Sequence, residues 1–266
     1  MFNPNELVLE KIRAVEEYDL ATSELTGRYT QIEEPSLKTA AEGTTVTDAM
    51  GAEIATFYKA QTGTFSFSNS LFSLDLAASQ FGSEKEVADA DNKITIPVSE
   101  IINIAADGTA ILKYIPVGAA GAEVKTVKVI NENNTFGKTY EVSATPGEGK
   151  FTLDAASKTI TLPEGAAGRA FVQYNRESDN AVRVTKTTDG IPAVKSLLIH
   201  ALFHDPCNTN SVYAGVINVP RAQINPEAVE ISLTPDGKHS AEYKLQKPYC
   251  DEHARLFDII IASDTE

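Results

Sequence analysis

Residues 46–81 read VTDAMGAEIATFYKAQTGTFSFSNSLFSLDLAASQF, and this stretch decides which fold the sequence predicts. It opens with a turn signal at residues 48–51, which precedes a strand candidate at residues 52–59. A second strand candidate covers residues 62–67, where two phenylalanines alternate with serine and threonine. Because successive side chains of a strand point to opposite faces of a sheet, this alternation is typical of a half-buried strand.

The hydrophobic period changes directly after the second strand. Apolar residues recur at helical spacing, which predicts a short amphipathic helix over residues 70–78. Ser70 is the predicted N-cap, and Gly82 is predicted to close the segment. Nothing in the stretch is chemically reactive, so we interpret it as a structural element and not as part of a catalytic site.

Two stretches resemble a known protein family. They are VTDAMGAEIATFYKAQTGTFSFSNSLFSLDLAA, residues 46–78, and VINVPRAQINPEAVEISLTPDGKHSAEYKLQ, residues 216–246. Both are similar to the major tail tube proteins of long-tailed bacteriophages. The resemblance implies a β-sandwich or barrel core, hexameric rings, and stacking of the rings into a tube through which DNA leaves the capsid.

The resemblance also implies partners and a location. The partners are other copies of the chain and other tail proteins, with DNA only as passing cargo and no membrane. The protein is expected in the virion tail after assembly in the host cytoplasm, as a structural component without enzymatic activity and without a cofactor.

The resemblance further implies which segments contact other subunits. The hairpin at residues 54–67 and the segment 228–245 form the inner wall, and an arm at residues 25–45 reaches a neighbouring ring. The helix at residues 70–78 packs on the outside of the sheet, and residues 93–174 decorate the exterior. The predicted inter-subunit residues are Ile54, Phe57, Phe65, Phe67, Leu25, Tyr29, Ile231, Leu233 and Tyr243.

Composition indicates a β-rich protein of one large or two modest domains. The chain has 266 residues without tryptophan, and 37 acidic against 23 basic residues give a net charge of -14. General nucleic-acid binding requires a cationic surface, so tight DNA binding is excluded. An anionic channel wall agrees with this charge, and so does ordinary solubility.

Cysteine content and hydropathy favour synthesis in a reducing cytoplasm. The chain has two cysteines, Cys207 and Cys250, and its start does not have the pattern of a secretory signal. No apolar run reaches the roughly 20 residues that a membrane-spanning helix needs.

Patterns along the rest of the chain predict further elements. Residues 4–18 read as a short helix, and the polar region up to residue 45 reads as an extended arm. Residues 93–174 contain short strands separated by turns, which predict an antiparallel sandwich or barrel. Within them, FTLDAASKTITLPEGAAGRAFVQY, residues 151–174, resembles the closing strands of Ig-like virion modules. Near the C-terminus, residues 194–204 read as a central strand, residues 228–234 pair with 241–245 in a hairpin, and residues 256–261 form the last strand.

The predicted fold class is therefore mainly β. It comprises an antiparallel sandwich or barrel core of the tail-tube type, one or two short helices, and an inserted or appended Ig-like β region. The predicted domains are residues 1–92 with 175–266 for the core, and residues 93–174 for the Ig-like β-sandwich insertion.

Two histidines are candidate metal ligands. His200 and His204 would share a helix face, with Cys207, Cys250 and His253 as further ligands. The surrounding residues read better as a strand, where positions four apart are separated by about 13 Å. No metal site is therefore predicted.

Other motifs read as turns. The Asp-Gly pairs at residues 107–108 and 236–237 lack the spaced acidic ligands of a calcium loop. The glycine-rich segments 147–149 and 165–168 lack the lysine and the helix of a phosphate cradle. No catalytic triad or paired-carboxylate motif is recognisable.

Two other classes of function stay open from the sequence. One is another virion protein, such as a capsid decoration protein or a head subunit. The other is an Ig-like adhesive or carbohydrate-binding module. It would require exposed aromatic side chains on a platform, whereas the tyrosines and phenylalanines of this sequence fall mostly in alternating inward positions.

Overall fold

A computed structural model describes residues 5–145, 147–235, 237–249 and 255–265. The chain is mainly β, which confirms the predicted class, and its strand pairs are antiparallel except for one. The elements in chain order are β1 (Val8–Asp19), β2 (Leu25–Tyr29), β3 (Ile32–Ala40), β4 (Gly43–Thr47), β5 (Glu53–Tyr58), β6 (Thr62–Asn69), α1 (Leu74–Phe81), β7 (Glu86–Val87), β8 (Ile94–Ile104), β9 (Thr109–Ile111), β10 (Val124–Ile130), β11 (Phe136–Val142), β12 (Lys150–Asp154), β13 (Thr159–Thr161), β14 (Gly168–Ser178), β15 (Val182–Arg183), β16 (Val194–Asp205), β17 (Asn208–Ile224), a 3-10 helix (Pro226–Ala228), β18 (His239–Leu245) and β19 (Asp258–Thr265).

The chain divides into two compact units. The first unit comprises residues 1–85 and 184–266, and the second comprises residues 86–183. The first unit therefore contains β1–β6, α1 and β16–β19, and the second contains β7–β15.

The first unit is built on a nearly closed, barrel-like sheet. Its strand order is β2-β1-β16-β17-β18-β6-β3, and β19 pairs with β17 beside this path. Strand β17 is long enough for both partners, since its middle residues, 213–218, pair with β19 and its last residues, 222–224, pair with β18. The core includes the buried side chains of Val15, Tyr29, Phe65, Phe67, Leu76, Leu197, Ile199, Val219, Ala222 and Tyr243.

The helix α1 begins three residues later than predicted. Ser73 and not Ser70 is the N-cap, and its Oγ accepts a hydrogen bond of 3.3 Å from the Leu76 N–H. Gly82 ends the helix in the left-handed conformation, as predicted, with φ of 65°. Leu76 is fully buried in the core of the first unit, so the helix packs against the sheet through this side chain.

Two features of the backbone favour glycine at position 82. Its φ is positive, and a Cβ there would lie 2.2 Å from the Ile191 carbonyl oxygen. Gly51 also has a positive φ, but a Cβ there would meet no atom within 4 Å. We expect Gly51→Ala to lower the free energy of unfolding by about 1 kcal/mol and Gly82→Ala by at least twice as much. Urea unfolding measures both, and equal losses would contradict the role of the close contact.

The helix predicted over residues 4–18 is wrong, since β1 occupies most of this range. Register shifts occur in β1 between Leu9 and Lys11 and again between Ile12 and Ala14. Each extra residue changes the period locally, so Leu9, Ile12 and Val15 share one sheet face although they are three apart. The bulges thus give a strand the apolar spacing of a helix.

The arm predicted up to residue 45 is also wrong, because β2, β3 and β4 occupy it. The hairpin predicted over residues 54–67 does not form either. Strand β5 pairs with β4, whereas β6 pairs with β3 and β18. Residues 32–69 instead form one long hairpin whose outer half is the two-stranded ribbon β4–β5.

Predictions for the C-terminal part have mixed outcomes. The strand predicted over residues 194–204 is confirmed as β16, and the last predicted strand overlaps β19. The strand predicted over residues 228–234 is wrong: a 3-10 helix lies at Pro226–Ala228, followed by a single bridge between Ile231 and His239. Asp236, in the predicted turn, lies outside the described residues.

The second unit has a seven-stranded sheet of order β8-β14-β10-β11-β12-β13-β9 and a short pair, β7–β15. Its core includes Ile102, Val124, Val127, Phe151, Ile160, Ala170 and Val172, each 0–5% exposed. The Asp-Gly pair at residues 107–108 is a turn, as predicted, in which the Gly108 N–H donates to the Ala105 carbonyl.

Candidate assembly surfaces

Four strands of the first unit form a sheet with two open margins. Strand β1 pairs with β16 along its length but with β2 only from Val15 to Tyr18. Among the described residues, no strand therefore pairs with the outer margin of β1 at residues 8–12. Strand β19 pairs with β17 alone, so its other margin is unpaired in the same part of the chain. The strand order across this region is β1-β16-β17-β19.

Large apolar side chains flank both margins. Val8 and Leu9 on β1 are 53% and 51% exposed, and Ile259 and Ile260 on β19 are each 57% exposed. The strand register places Val8 and Ile260 on one face of the sheet, and Leu9 and Ile259 on the other. Unpaired strands with apolar side chains readily pair with another chain unless they are protected.

The ribbon β4–β5 is a second exposed feature of this unit. It is a separate two-stranded sheet, and such a hairpin is marginally stable alone in water. Its apolar side chains are exposed to between 45% and 94%: Val46, Met50, Ile54, Phe57 and Tyr58. The ribbon is therefore a surface that contact with another molecule would stabilise.

The nine predicted inter-subunit residues separate into two groups. Tyr29, Phe65, Phe67 and Tyr243 are only 1–2% exposed and contact each other in the barrel core, so their prediction as surface contacts does not agree with the structure. The other five are accessible: Leu25, Ile54, Phe57 and Leu233 are exposed, and Ile231 is half-buried. Only Ile54 and Phe57 belong to the exposed ribbon.

The margin residues of β1 and β19 were missed by the sequence-based prediction. Val8 and Leu9 were placed on a helix, and Ile259 and Ile260 were placed on a strand without a pairing partner being inferred. An available signal was the run of three isoleucines at residues 259–261, which is too apolar for a solvated edge.

A buried polar network fastens α1 to the barrel. Glu17 is 0% exposed, and Tyr243 donates a hydrogen bond to its Oε1. The Ser79 hydroxyl donates to Glu17 Oε2 over 2.6 Å, and Lys195 Nζ lies 3.0 Å from the same oxygen. The carboxylate thus connects strands β1, β16 and β18 with the helix.

The tyrosines around Glu17 stay protonated. Burial raises the pKa of Tyr243 well above its usual value, and the Glu17 carboxylate raises it further. Burial followed by the same carboxylate also raises the pKa of Tyr29. A neutral phenol can donate to Glu17, so we interpret the network as structural and not as a proton-transfer site.

His200 and His204 lie on β16, as the strand interpretation requires, and each contacts its own glutamate on β1. His200 Nε2 is 3.1 Å from Glu16 Oε2, and His204 Nε2 is 2.6 Å from Glu10 Oε2. Cys207 is an exposed free thiol, and Cys250 and His253 lie outside the described residues. Within the described ranges, no group of side chains could hold a metal ion.

His239 connects both ends of α1 to β18. The Ser73 N–H donates to its Nδ1 over 3.3 Å, and its Nε2 lies 2.8 Å from Gln80 Oε1. Because Nδ1 accepts a hydrogen bond, Nε2 carries the proton and donates it to Gln80. Phe72 stacks on the imidazole at 5.1 Å between centroids. The neutral imidazole therefore fits its surroundings. The doubly protonated imidazole does not, because a proton on Nδ1 would face the Ser73 N–H.

This arrangement predicts a loss of stability in acid. Burial lowers the pKa of His239 from its usual 6.5, so the unfolded chain binds the proton more readily than the folded chain does. The stabilisation is complete above about pH 6.5 and falls as the pH drops from there through the lower pKa of the folded state, by at most about 1.4 kcal/mol per pH unit. Urea unfolding between pH 7.5 and 5.5 measures the slope. His239→Gln should flatten it, and an unchanged slope would contradict the assignment.

An open cavity of about 490 Å³ lies beside α1. The two lysines that line it are both paired, since Lys85 contacts Asp75 and Lys195 contacts Glu17. In the part of the chain that the structure describes, no helix is long and apolar enough to cross a membrane.

The fold and these surfaces are those of a mainly β protein whose sheet has open margins. The chain belongs to the YomU/Tube protein family, whose model matches residues 7–254. This is a family of phage tube proteins, so the resemblance to tail tube proteins is confirmed, and its members are structural components of the virion tail. No curated protein sequence matches the chain significantly.

Proposed function

We propose that the chain is the repeating subunit of a phage tail tube. Six copies would form a ring, rings would stack into a hollow tube, and DNA would leave the capsid through it. The observation that carries this proposal is the four-stranded sheet with an apolar, unpaired margin on each side.

Strand direction supports a closed ring. Each neighbouring pair in β1-β16-β17-β19 is antiparallel, so β1 and β19 run in opposite directions. A rotated copy that places its β1 beside β19 continues the antiparallel alternation without interruption. Such a head-to-tail contact closes into a ring and leaves no unpaired margin, as in a barrel.

The ribbon β4–β5 supports stacking of the rings. It is a sheet of its own and exposes Met50, Ile54 and Phe57, which contact with the next ring would cover. We propose this ribbon in place of the arm that the sequence predicted. The second unit, which contains the predicted insertion at residues 93–174, would lie on the outside of the tube.

Charge supports the role as a conduit. The net charge of -14 gives the subunit an anionic character, and an anionic wall repels DNA and allows it to slide past. Other tail proteins would contact the ends of the tube, and assembly would take place in the host cytoplasm.

Electron microscopy of the purified protein tests the proposal. We expect negatively stained samples at high concentration to contain rings with six-fold symmetry and hollow tubes. Separate monomers or trimers at every concentration would contradict it, and would favour a capsid decoration protein or a head subunit.

A further inference from the structure

The second unit exposes a cluster of apolar and cationic side chains on one sheet face. On β14, Phe171 lies opposite Ile101 of β8 on one side and Lys128 of β10 on the other. Two residues earlier, Arg169 lies opposite Ile130 of β10. On the other side of β10, Phe136 of β11 lies opposite Ile130.

This face points away from the core. The two residues next to Phe171 on β14, Ala170 and Val172, point to the opposite face and are 0% exposed. In contrast, Phe136 is 63% exposed and Ile101 is 58% exposed. We call this outward face the platform, and define it by Ile101, Lys128, Ile130, Phe136, Arg169 and Phe171.

The aromatic rings of the platform contact each other. Phe136 and Phe171 pack edge to face, with 5.8 Å between centroids and 66° between planes. Lys128 Nζ lies 5.8 Å from the Phe136 centroid. The platform therefore combines an aromatic pair, of which Phe136 is exposed and Phe171 half-buried, with two cationic side chains on one sheet face.

We propose that the platform binds a negatively charged polysaccharide. The C–H bonds on one side of a sugar ring form an apolar, weakly positive surface, which complements the negative face of an aromatic ring. Lys128 and Arg169 are placed to pair with the carboxylate or phosphate groups of the sugar. This is the exposed aromatic platform that a carbohydrate-binding module requires, and it is independent of tube assembly.

Two other kinds of ligand agree less well with the platform. A stable protein interface needs about 800 Å² on each partner, which four apolar side chains cannot supply. Single-stranded nucleic acid could stack on the phenylalanines, but it needs a cationic groove along its backbone. The platform has only two cations, Lys128 and Arg169, which are too few to follow a nucleic-acid backbone.

Affinity electrophoresis of the full chain tests the proposal. The gels contain polygalacturonate as a carboxylated polymer, phosphomannan as a phosphorylated one, or dextran as a neutral one. We expect retardation by at least one of the two anionic polymers, and which of them binds identifies the anion. Phe136→Ala and Lys128→Ala should each weaken this binding at least about tenfold. Ile111→Ala, which truncates an isoleucine of the same unit that is 68% exposed, should not change it.

Three results would overturn the assignment. Absence of binding to both anionic polymers would remove it, as would binding that survives both platform variants. Equal retardation by dextran would remove the role of charge. Tighter binding of a thymidine oligonucleotide than of either polymer would instead identify the platform as a nucleic-acid surface.

Discussion

Replacing Ile259 and Ile260 by lysine is expected to prevent assembly while leaving the subunit folded. Both side chains are more than half exposed in the single subunit, so its stability should change little. In the ring they would be buried against β1, and burial of each isoleucine contributes about 1.5–3 kcal/mol. A loss of at least about 3 kcal/mol per contact raises the concentration needed for assembly roughly 100-fold or more.

Sedimentation of the polymer measures this effect, and circular dichroism checks the fold. Ile111→Lys is the matched control, since Ile111 is also an exposed isoleucine, at 68% against 57%, but lies in the second unit. The control should assemble like the unchanged chain. Assembly of the double lysine variant at the usual concentration would show that β19 is not a contact strand.

Glu17→Ala is expected to cause the largest loss of stability. It removes the partner of Lys195 and leaves the hydroxyls of Tyr243 and Ser79 without their acceptor inside the unit. Breaking a buried ion pair in this way typically costs about 3–5 kcal/mol. The melting temperature should therefore fall by roughly 10 °C in a chain of this size.

Glu24→Ala is the matched control, because Glu24 is exposed and should change stability by less than about 0.5 kcal/mol. The double variant Glu17→Ala with Lys195→Ala should lose less than the sum of the single variants, since the two side chains act as a pair. If Glu17→Ala unfolds like the control, then the network does not hold α1.

Local patterns predicted elements well where one face is buried. The alternation around Phe65 and Phe67 predicted β6, and the apolar run at residues 194–204 predicted β16. Gly82 marked the end of α1 because a left-handed residue is needed there. The start of α1 was misplaced because Ser70 and Ser73 are both acceptable N-caps by composition, and only the backbone decides between them.

Pairing partners could not be predicted from local patterns. Strand β6 follows β5 closely in sequence but pairs with β3 and β18, since register is set by contacts over long sequence distances. The bulges of β1 gave it the apolar spacing of a helix. An open margin is a property of the whole sheet, so the assembly surfaces required the structure, whereas the tail tube class could be inferred from the sequence.

Disulfide cross-linking tests most directly whether β1 of one copy lies beside β19 of the next. The background is Cys207→Ser with Cys250→Ser. Val8 and Ile260 share one sheet face, and Leu9 and Ile259 share the other. Within one chain, β1 and β19 are separated by two strands, or about 14 Å, so a disulfide between them can form only between copies.

Val8→Cys with Ile260→Cys, or Leu9→Cys with Ile259→Cys, is expected to give a ladder of oligomers up to six on a non-reducing gel. Val8→Cys with Ile259→Cys, whose side chains lie on opposite faces, should stay monomeric. Monomers from both same-face pairs under oxidising conditions, at concentrations where the unchanged chain assembles, would contradict ring formation through these margins.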